Sequence, residues 1–301
     1  MHRLTCIKLH RIIQNPFNPL IRGKKTNKKI IPQKDSLFLK IKYNSAMRFL
    51  KISLLFFSIS VFSQNNFTTP FERGNGNQST TYEECIAFYE KLDESFANIQ
   101  MIQKGTTDSG KPLHLVLFSS EGKFDFDEYF TKNKAVILIN NGIHAGEPDG
   151  IDATMMLMRD LAIGKIKTAK NTLIAAIPVY SVGGMLNRNS HSRANQNGPE
   201  EYGFRGNGRN YDLNRDFIKS DAKNSRSFQK LFTELNPDIF LDNHVSNGAD
   251  YQYTFTCIAT QHERLGNKLG NFFINELYPS VVNDMNKKKI DVVPYVNVHS
   301  T

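Results

Sequence analysis

Hydrophobic and polar positions change period repeatedly between residues 81 and 278, and the changes outline alternating strands and helices. Thr81-Tyr-Glu-Glu84 is a capping-box sequence, a hydroxyl followed three residues later by an acid. Ile86, Phe88, Tyr89 and Leu92 then recur at helical spacing, so a helix opens there. Ile99 to Ile102 and Leu113 to Phe118 predict two strands, and the turn formers Thr106-Thr-Asp-Ser-Gly110 between them predict a hairpin. The run Ala135-Val-Ile-Leu-Ile139 is short, apolar and rich in β-branched residues, and Asn-Asn-Gly stops it; it predicts a buried strand. Asp152 to Ile163 predicts a helix with Met155, Met156, Leu157 and Leu161 turned inward as core filler. Thr172 to Tyr180 predicts another buried strand, Ser220 to Leu235 a helix, and Pro237 to Asp242 a strand. Tyr251 to Thr256 alternates as a strand, and Gln261 to Tyr278 predicts a long helix. This alternation implies an α/β sheet, partly parallel, with helices on both faces. The one long irregular stretch, Asn187 to Asn210, is dense in Asn, Gly and Arg; such loops inside compact domains usually serve function.

Composition changes the picture mainly at the N-terminus. The 301 residues suffice for one large α/β domain, and 40% hydrophobic content supports a folded core. The formal charge of +9 is unevenly spread. Residues 1–46 hold 11 Lys/Arg against one acid, residues 47–63 add Arg48 and Lys51, and residues 64–301 hold 25 basic and 28 acidic side chains. The body therefore lacks the basic excess of a nucleic-acid binder, and no nucleic-acid partner is expected. Met47-Arg-Phe-Leu-Lys51 followed by the apolar run Ile52 to Phe62 has the layout of a secretory signal peptide, cut after Ser63. The run is shorter than the ~20 residues that span a bilayer. Export to the periplasm or the extracellular space is expected, with membrane contact only through the uncleaved signal peptide. A signal peptide belongs at the start of a chain, so residues 1–46 are read as a basic extension, either outside the native protein or a disordered targeting arm. The organisation expected is extension 1–46, signal peptide 47–63, linker 64–80 and one domain over 81–301. Cys85 and Cys257 are too few for a disulfide framework; they are either one bridge or two buried thiols. Without a Cys-x-x-Cys, any metal site must use His and carboxylate ligands.

The candidate chemistry lies at predicted strand ends. His144-Ala-Gly-Glu147 follows the Ala135 strand, where α/β folds usually place ligands. A His and a Glu three residues apart on that loop can meet one metal ion. Asp242-Asn-His244 ends another predicted strand and offers a third ligand. Three protein ligands and an open position is the pattern of a catalytic zinc site. Between them lies Asn210-Tyr-Asp-Leu-Asn-Arg-Asp-Phe217. Asn214 and Arg215 offer an amide and a forked cation suited to a carboxylate. Asp212 can accept the second ring N–H of a metal-bound His.

Together these segments resemble the zinc metallocarboxypeptidase family, peptidases of the carboxypeptidase A-like type. Thr81-Tyr-Glu-Glu84 and Thr107-Asp-Ser-Gly-Lys-Pro112 resemble its opening helix and early hairpin, and His144-Ala-Gly-Glu147, Asp212-Leu-Asn-Arg215 and His244 match its ligand and substrate segments. The resemblance implies a mixed, largely parallel eight-stranded sheet with helices on both faces. It implies one zinc ion on His144, Glu147 and His244, and hydrolysis of a peptide bond near a free C-terminal carboxylate held by Asn214 and Arg215. Arg193 is the candidate cation for the oxyanion, with Arg188 its rival and Arg205 and Arg209 behind. Ile177-Pro-Val-Tyr-Ser-Val-Gly-Gly184 departs from the family's usual Asn-Pro-Asp-Gly turn, which keeps open a related amidase or deacylase acting on acylated amino acids or cell-wall peptides. The family's general base is a Glu on a late strand. Here Glu263 and Glu276 lie in a predicted helix and read as solvated charges, so the domain is expected to be incomplete at its C-terminal end, with the base beyond Thr301. A non-enzymatic zinc-binding fragment is the remaining alternative.

Overall fold

The computed structural model describes residues 67–131, 134–194, 196–246 and 253–295; the extension and signal peptide expected over 1–63 lie outside them. The first long helix, α1 (Tyr82–Ser95), starts on the capping box the sequence announces. Thr81 Oγ1 accepts from the Glu84 amide at 3.2 Å, and a Glu84 carboxylate oxygen accepts from the Thr81 amide at 3.0 Å. The helix buries Cys85, Tyr89 and Leu92, one stripe at the i, i+4, i+7 spacing. β1 (Ile99–Thr106) and β2 (Pro112–Ser119) follow as an antiparallel hairpin. β1 runs four residues further than the apolar pattern suggests, because it is the edge of the sheet and its half-exposed positions accept Gln103 and Lys104.

β3 (Ala135–Asn140) leads into α2 (Asp149–Ala162), and β4 (Thr172–Ile177) returns beside β3 in parallel. α2 turns Met155, Met158 and Leu161 inward, whereas Met156 and Leu157 are only half-buried. β4 stops at Ile177, three residues short of the apolar run, since Pro178 has no N–H to continue a ladder. α3 (Lys223–Leu235) then precedes β5 (Ile239–Asp242), which pairs in parallel with the other side of β3.

The sheet order is β1-β2-β4-β3-β5. Two of its pairings are antiparallel and two parallel, and it has five strands among the described residues. This corrects the expectation of a largely parallel, eight-stranded sheet. The short turn of the β1–β2 hairpin can only join antiparallel strands, and β2 then pairs antiparallel with β4. Hydrophobic runs before residue 243 number five, matching the strands seen; the larger count came from the resemblance alone. β6 (Phe255–Cys257) and β7 (Val292–Pro294) pair separately, in parallel.

The sheet is covered on both faces. Leu113, Leu115 and Leu117 of β2 join Leu138, Ala175 and Phe240 in one cluster with Phe228, Leu231 and Leu235 of α3. The alternate residues His114, Val116 and Phe118 are buried as well, while α1 packs on β1 and α2, and α2 on β2. Truncating a core leucine such as Leu117 to Ala costs about 2–5 kcal/mol.

The long helix expected over Gln261 to Tyr278 is broken and longer. A 3-10 turn (His262–Leu265) ends at Gly266, whose φ of 76° suits glycine. α4 (Asn267–Phe272), a π turn (Phe273–Leu277) and α5 (Tyr278–Lys287) continue without a gap. Pro279 sits in the first turn of α5; it lacks the N–H an α-helix needs, and the wider π turn precedes it. Cys85 and Cys257 are free thiols, both buried. No helix among the described residues is long and apolar enough to cross a membrane.

Candidate metal centre

Two adjacent parallel strands end side by side and set the frame. Asn140 of β3 pairs with Asp242 of β5 in the ladder, and the Asn140 side-chain amide donates to Asp242 Oδ1 at 2.9 Å. One residue on, Asn141 Oδ1 accepts from Asn243 Nδ2 at 2.8 Å and from Thr154 Oγ1 at 3.1 Å. These groups are almost wholly buried, so their hydrogen bonds are costly to lose and hold the two loops in register.

His144 and Glu147 lie on the loop after β3, and His244 two residues after Asp242. A donor atom from each of the three lies within 4.8 Å of the others, and all three side chains are buried. Glu147 Oε1 stands 3.0 Å from His144 Nδ1, and Oε2 stands 3.0 Å from His244 Nδ1. The Val245 amide donates to Oε2 at 2.9 Å. On the far side of each ring, Nε2 meets a carboxylate: Asp212 Oδ1 at 2.9 Å for His144 and Asp242 Oδ2 at 2.8 Å for His244.

The long loop closes over this site by close backbone approach. A Cβ on Gly146 would come within 2.6 Å of the Gly203 carbonyl oxygen and 2.8 Å of Arg193 Cδ. Arg193 Nη1 then reaches Glu147 Oε1 at 3.1 Å, and its Nη2 donates to the Ser246 carbonyl at 3.4 Å. Arg205 Nε and Nη2 donate to Asp212 Oδ2 at 3.2 and 2.8 Å, and its Nη1 stands 3.4 Å from His144 Nδ1.

The donor chemistry fits a metal ion. When both rings are neutral and give Nε2–H to their carboxylates, their Nδ1 lone pairs and a Glu147 oxygen offer three acceptors to one ion. A cation satisfies all three at once. Burial alone would raise the Glu147 carboxyl, but its hydrogen bonds and attraction to His144 and His244 outweigh this and hold it well below the usual range. Burial alone would lower His244, yet Asp242 and Glu147 raise it to about 9. Burial likewise opposes ionisation of Asp212, and hydrogen bonds from His144 and Arg205 prevail to keep it anionic.

The remaining candidates divide. Arg188 spends its donors on Ser79, Thr80 and Glu201, away from the three ligand atoms. Arg209 lies over the Tyr211 ring, 4.5 Å from its centroid. Asn214 and Arg215 sit on the 3-10 turn Leu213–Arg215, where Arg215 is exposed and donates to the Asn214 carbonyl. Glu263 is exposed beside His262, and Glu276 is exposed on the π turn. Sequence reasoning overlooked Asp242 as the partner of His244, although an acid two residues before a strand-end His was its signal. It also ranked Arg205 low, because nothing local predicts that Arg205 folds back onto Asp212.

No curated protein sequence matches the chain significantly. Among solved structures, carboxypeptidase A from Helicoverpa armigera is similar at 17% identity and a TM-score of 0.52, over 72% of this chain and 57% of that one. Bovine thrombin-activatable fibrinolysis inhibitor in complex with tick carboxypeptidase inhibitor is similar at 14% identity and a TM-score of 0.52, over 72% of this chain and 76% of that one. At these identities the likeness is one of fold. The chain thus spans little more than half the length of the Helicoverpa protein. The family model for zinc carboxypeptidases, peptidase family M14, matches residues 85–301, and this chain belongs to that family.

Proposed function

We propose that this protein is a zinc-dependent metallopeptidase of the carboxypeptidase type, hydrolysing a peptide bond next to a free C-terminal carboxylate. The observation that carries the reading is the buried His144, Glu147, His244 set, with each imidazole braced from behind by a carboxylate. His144 Nδ1, a Glu147 oxygen and His244 Nδ1 would hold the ion. Bound zinc supplies Lewis acidity toward the scissile carbonyl and toward water. Asp212 and Asp242 keep the ring protons on Nε2, which leaves Nδ1 free to ligate. Arg193, fixed against Glu147 and Ser246, stabilises negative charge growing on the carbonyl oxygen. Asn214 and Arg215 grip the terminal carboxylate; Arg215 is exposed, with Nη1 given to the Asn214 carbonyl, so its guanidinium can be reached by a substrate.

The domain so proposed covers residues 81–301, preceded by a linker over 64–80 and a signal peptide over 47–63 that directs export. The neutral body supports a peptide rather than a nucleic acid as partner. The experiment loads the protein with zinc and offers C-terminally free peptides, C-terminally amidated peptides, N-acyl amino acids and muropeptides. Release of the C-terminal residue from free peptides only, abolished in Glu147→Gln, is expected. Preferential cleavage of N-acyl amino acids or muropeptides would replace the reading with the amidase one. Zinc binding without turnover of any of the four would defeat the enzymatic reading.

A further inference from the structure

The two ligand histidines are braced in unequal ways. Behind His244, Asp242 belongs to a strand, is buried, and receives Asn140 Nδ2 from the neighbouring strand. The sheet itself fixes that carboxylate. Behind His144, Asp212 stands on a loop as the cap of a single 3-10 turn, with its side chain 27% exposed. Its Oδ1 accepts from His144 Nε2 and from the Asn214 amide at 3.0 Å. No ladder holds this carboxylate. Its Oδ2 is instead taken by two converging N–H groups of Arg205, from Nε and Nη2.

We propose that Arg205 is a positioning residue of the metal site, acting through Asp212 to fix the ring of His144. Resting on the zinc reading above, this assigns to one loop cation the role that sheet hydrogen bonds play for His244. The Arg205 fork does two things that a neutral side chain cannot. It holds the carboxylate plane in one orientation, because Nε–H and Nη2–H converge on one oxygen while the other faces His144. It also keeps Asp212 Oδ1 at 2.9 Å from His144 Nε2, which leaves Nδ1 on the Glu147 side of the ring. The brace is local: Arg205 and Asp212 close one short loop, and a Cβ on Gly206 would meet Asn210 Oδ1 at 2.6 Å. Without Arg205, Asp212 can turn toward solvent and the His144 ring loses its orientation.

The test measures zinc affinity by chelator competition and the visible spectrum of the cobalt(II)-loaded protein. It compares wild type, Arg205→Gln, Arg205→Lys, Asp212→Asn, the double variant Arg205→Gln/Asp212→Asn, and His144→Ala. Arg205→Gln is expected to weaken zinc binding about 10–100-fold and to alter the cobalt spectrum. Arg205→Lys keeps the charge but not the fork, so its affinity falls between the two. In the Asp212→Asn background the Arg205→Gln change adds nothing, since both remove one connection. Urea midpoints of the zinc-free proteins separate this from loop stabilisation, which would lower the midpoint without changing the cobalt spectrum. Wild-type zinc affinity and spectrum in Arg205→Gln would overturn the inference and leave the zinc reading standing. If Arg205→Gln does not fold, wild-type affinity in Arg205→Lys overturns it equally. Zinc binding that survives His144→Ala would overturn the zinc reading, and this inference with it.

Discussion

Asp152 carries a stability penalty that grows with pH, and Asp152→Asn should remove it. The side chain lies on α2, 3% exposed, with one hydrogen bond, from the Thr80 amide at 3.3 Å. Burial pushes its pKa from 3.8 up to about 8. The Thr80 amide and Arg188 oppose this, while Asp149 and Glu84 add to it. The sign follows from linkage. Between about pH 4 and about pH 8 the unfolded chain has lost this proton and the folded chain retains it. Folding therefore takes up a proton, and stability falls as pH rises through that window, then levels off above pH 8. At about 1.36 kcal/mol per pH unit, the whole window is worth roughly 5 kcal/mol, and the part below pH 7 about 4 kcal/mol. Asparagine keeps the acceptor for Thr80 and has no charge to desolvate.

The measurement is the urea midpoint by circular dichroism from pH 4.5 to 9, at constant saturating zinc, for wild type and Asp152→Asn. Asp152 does not touch the metal site, so the site's own titrations cancel in the difference. The variant should gain on wild type by several kcal/mol between pH 4.5 and 8, with a flat difference above. A difference that stays constant across that range would refute the reasoning, because it would mean that Asp152 ionises alike in both states.

Other expectations are smaller or more local. Asp242→Asn leaves one acceptor oxygen where Asn140 Nδ2 and His244 Nε2 now have one each, and should weaken zinc binding about 10–100-fold by chelator competition. Thr81→Ala deletes the cap of α1 and should cost about 1 kcal/mol in urea unfolding, without changing zinc affinity. Gly146→Ala drives a methyl into the Gly203 carbonyl; one of the two loops must shift, and turnover of C-terminally free peptides should fall more than thermal stability.

The sequence made the α/β alternation legible wherever burial imposed a period. The Ala135 to Asn140 strand and the capped start of α1 read directly, because a β-branched run and a capping box have no competing interpretation. Edges read less well. β1 is half-exposed, so Gln103 and Lys104 blur its alternation, and Pro178 and Pro279 set boundaries that hydrophobicity alone does not mark. The buried cluster of His144, Glu147 and His244 was legible because all three residues follow strand ends. The partner of Arg205 was not, since it depends on a loop folding back on itself, and no periodicity encodes that.

Strand register and site geometry are one problem in this fold. Parallel pairing sets Asn140 beside Asp242, so His144 leaves the sheet four residues past its strand's reference point and His244 two residues past the other. A strand reverses its face at every residue, so a slip of one position would turn Asp242 away from Asn140 and carry His244 away from Glu147. The same slip would part Asn141 from Asn243 and leave buried amides without partners. Each such loss costs about 1–3 kcal/mol, which makes the misregistered sheet unfavourable before any ion is present. The asparagines beside the candidate ligands thus favour this register, because in it the buried Nδ2 groups of Asn140 and Asn243 find acceptors across the strand pair. The loop cations Arg193 and Arg205 then complete a geometry that the sheet has already fixed on one side.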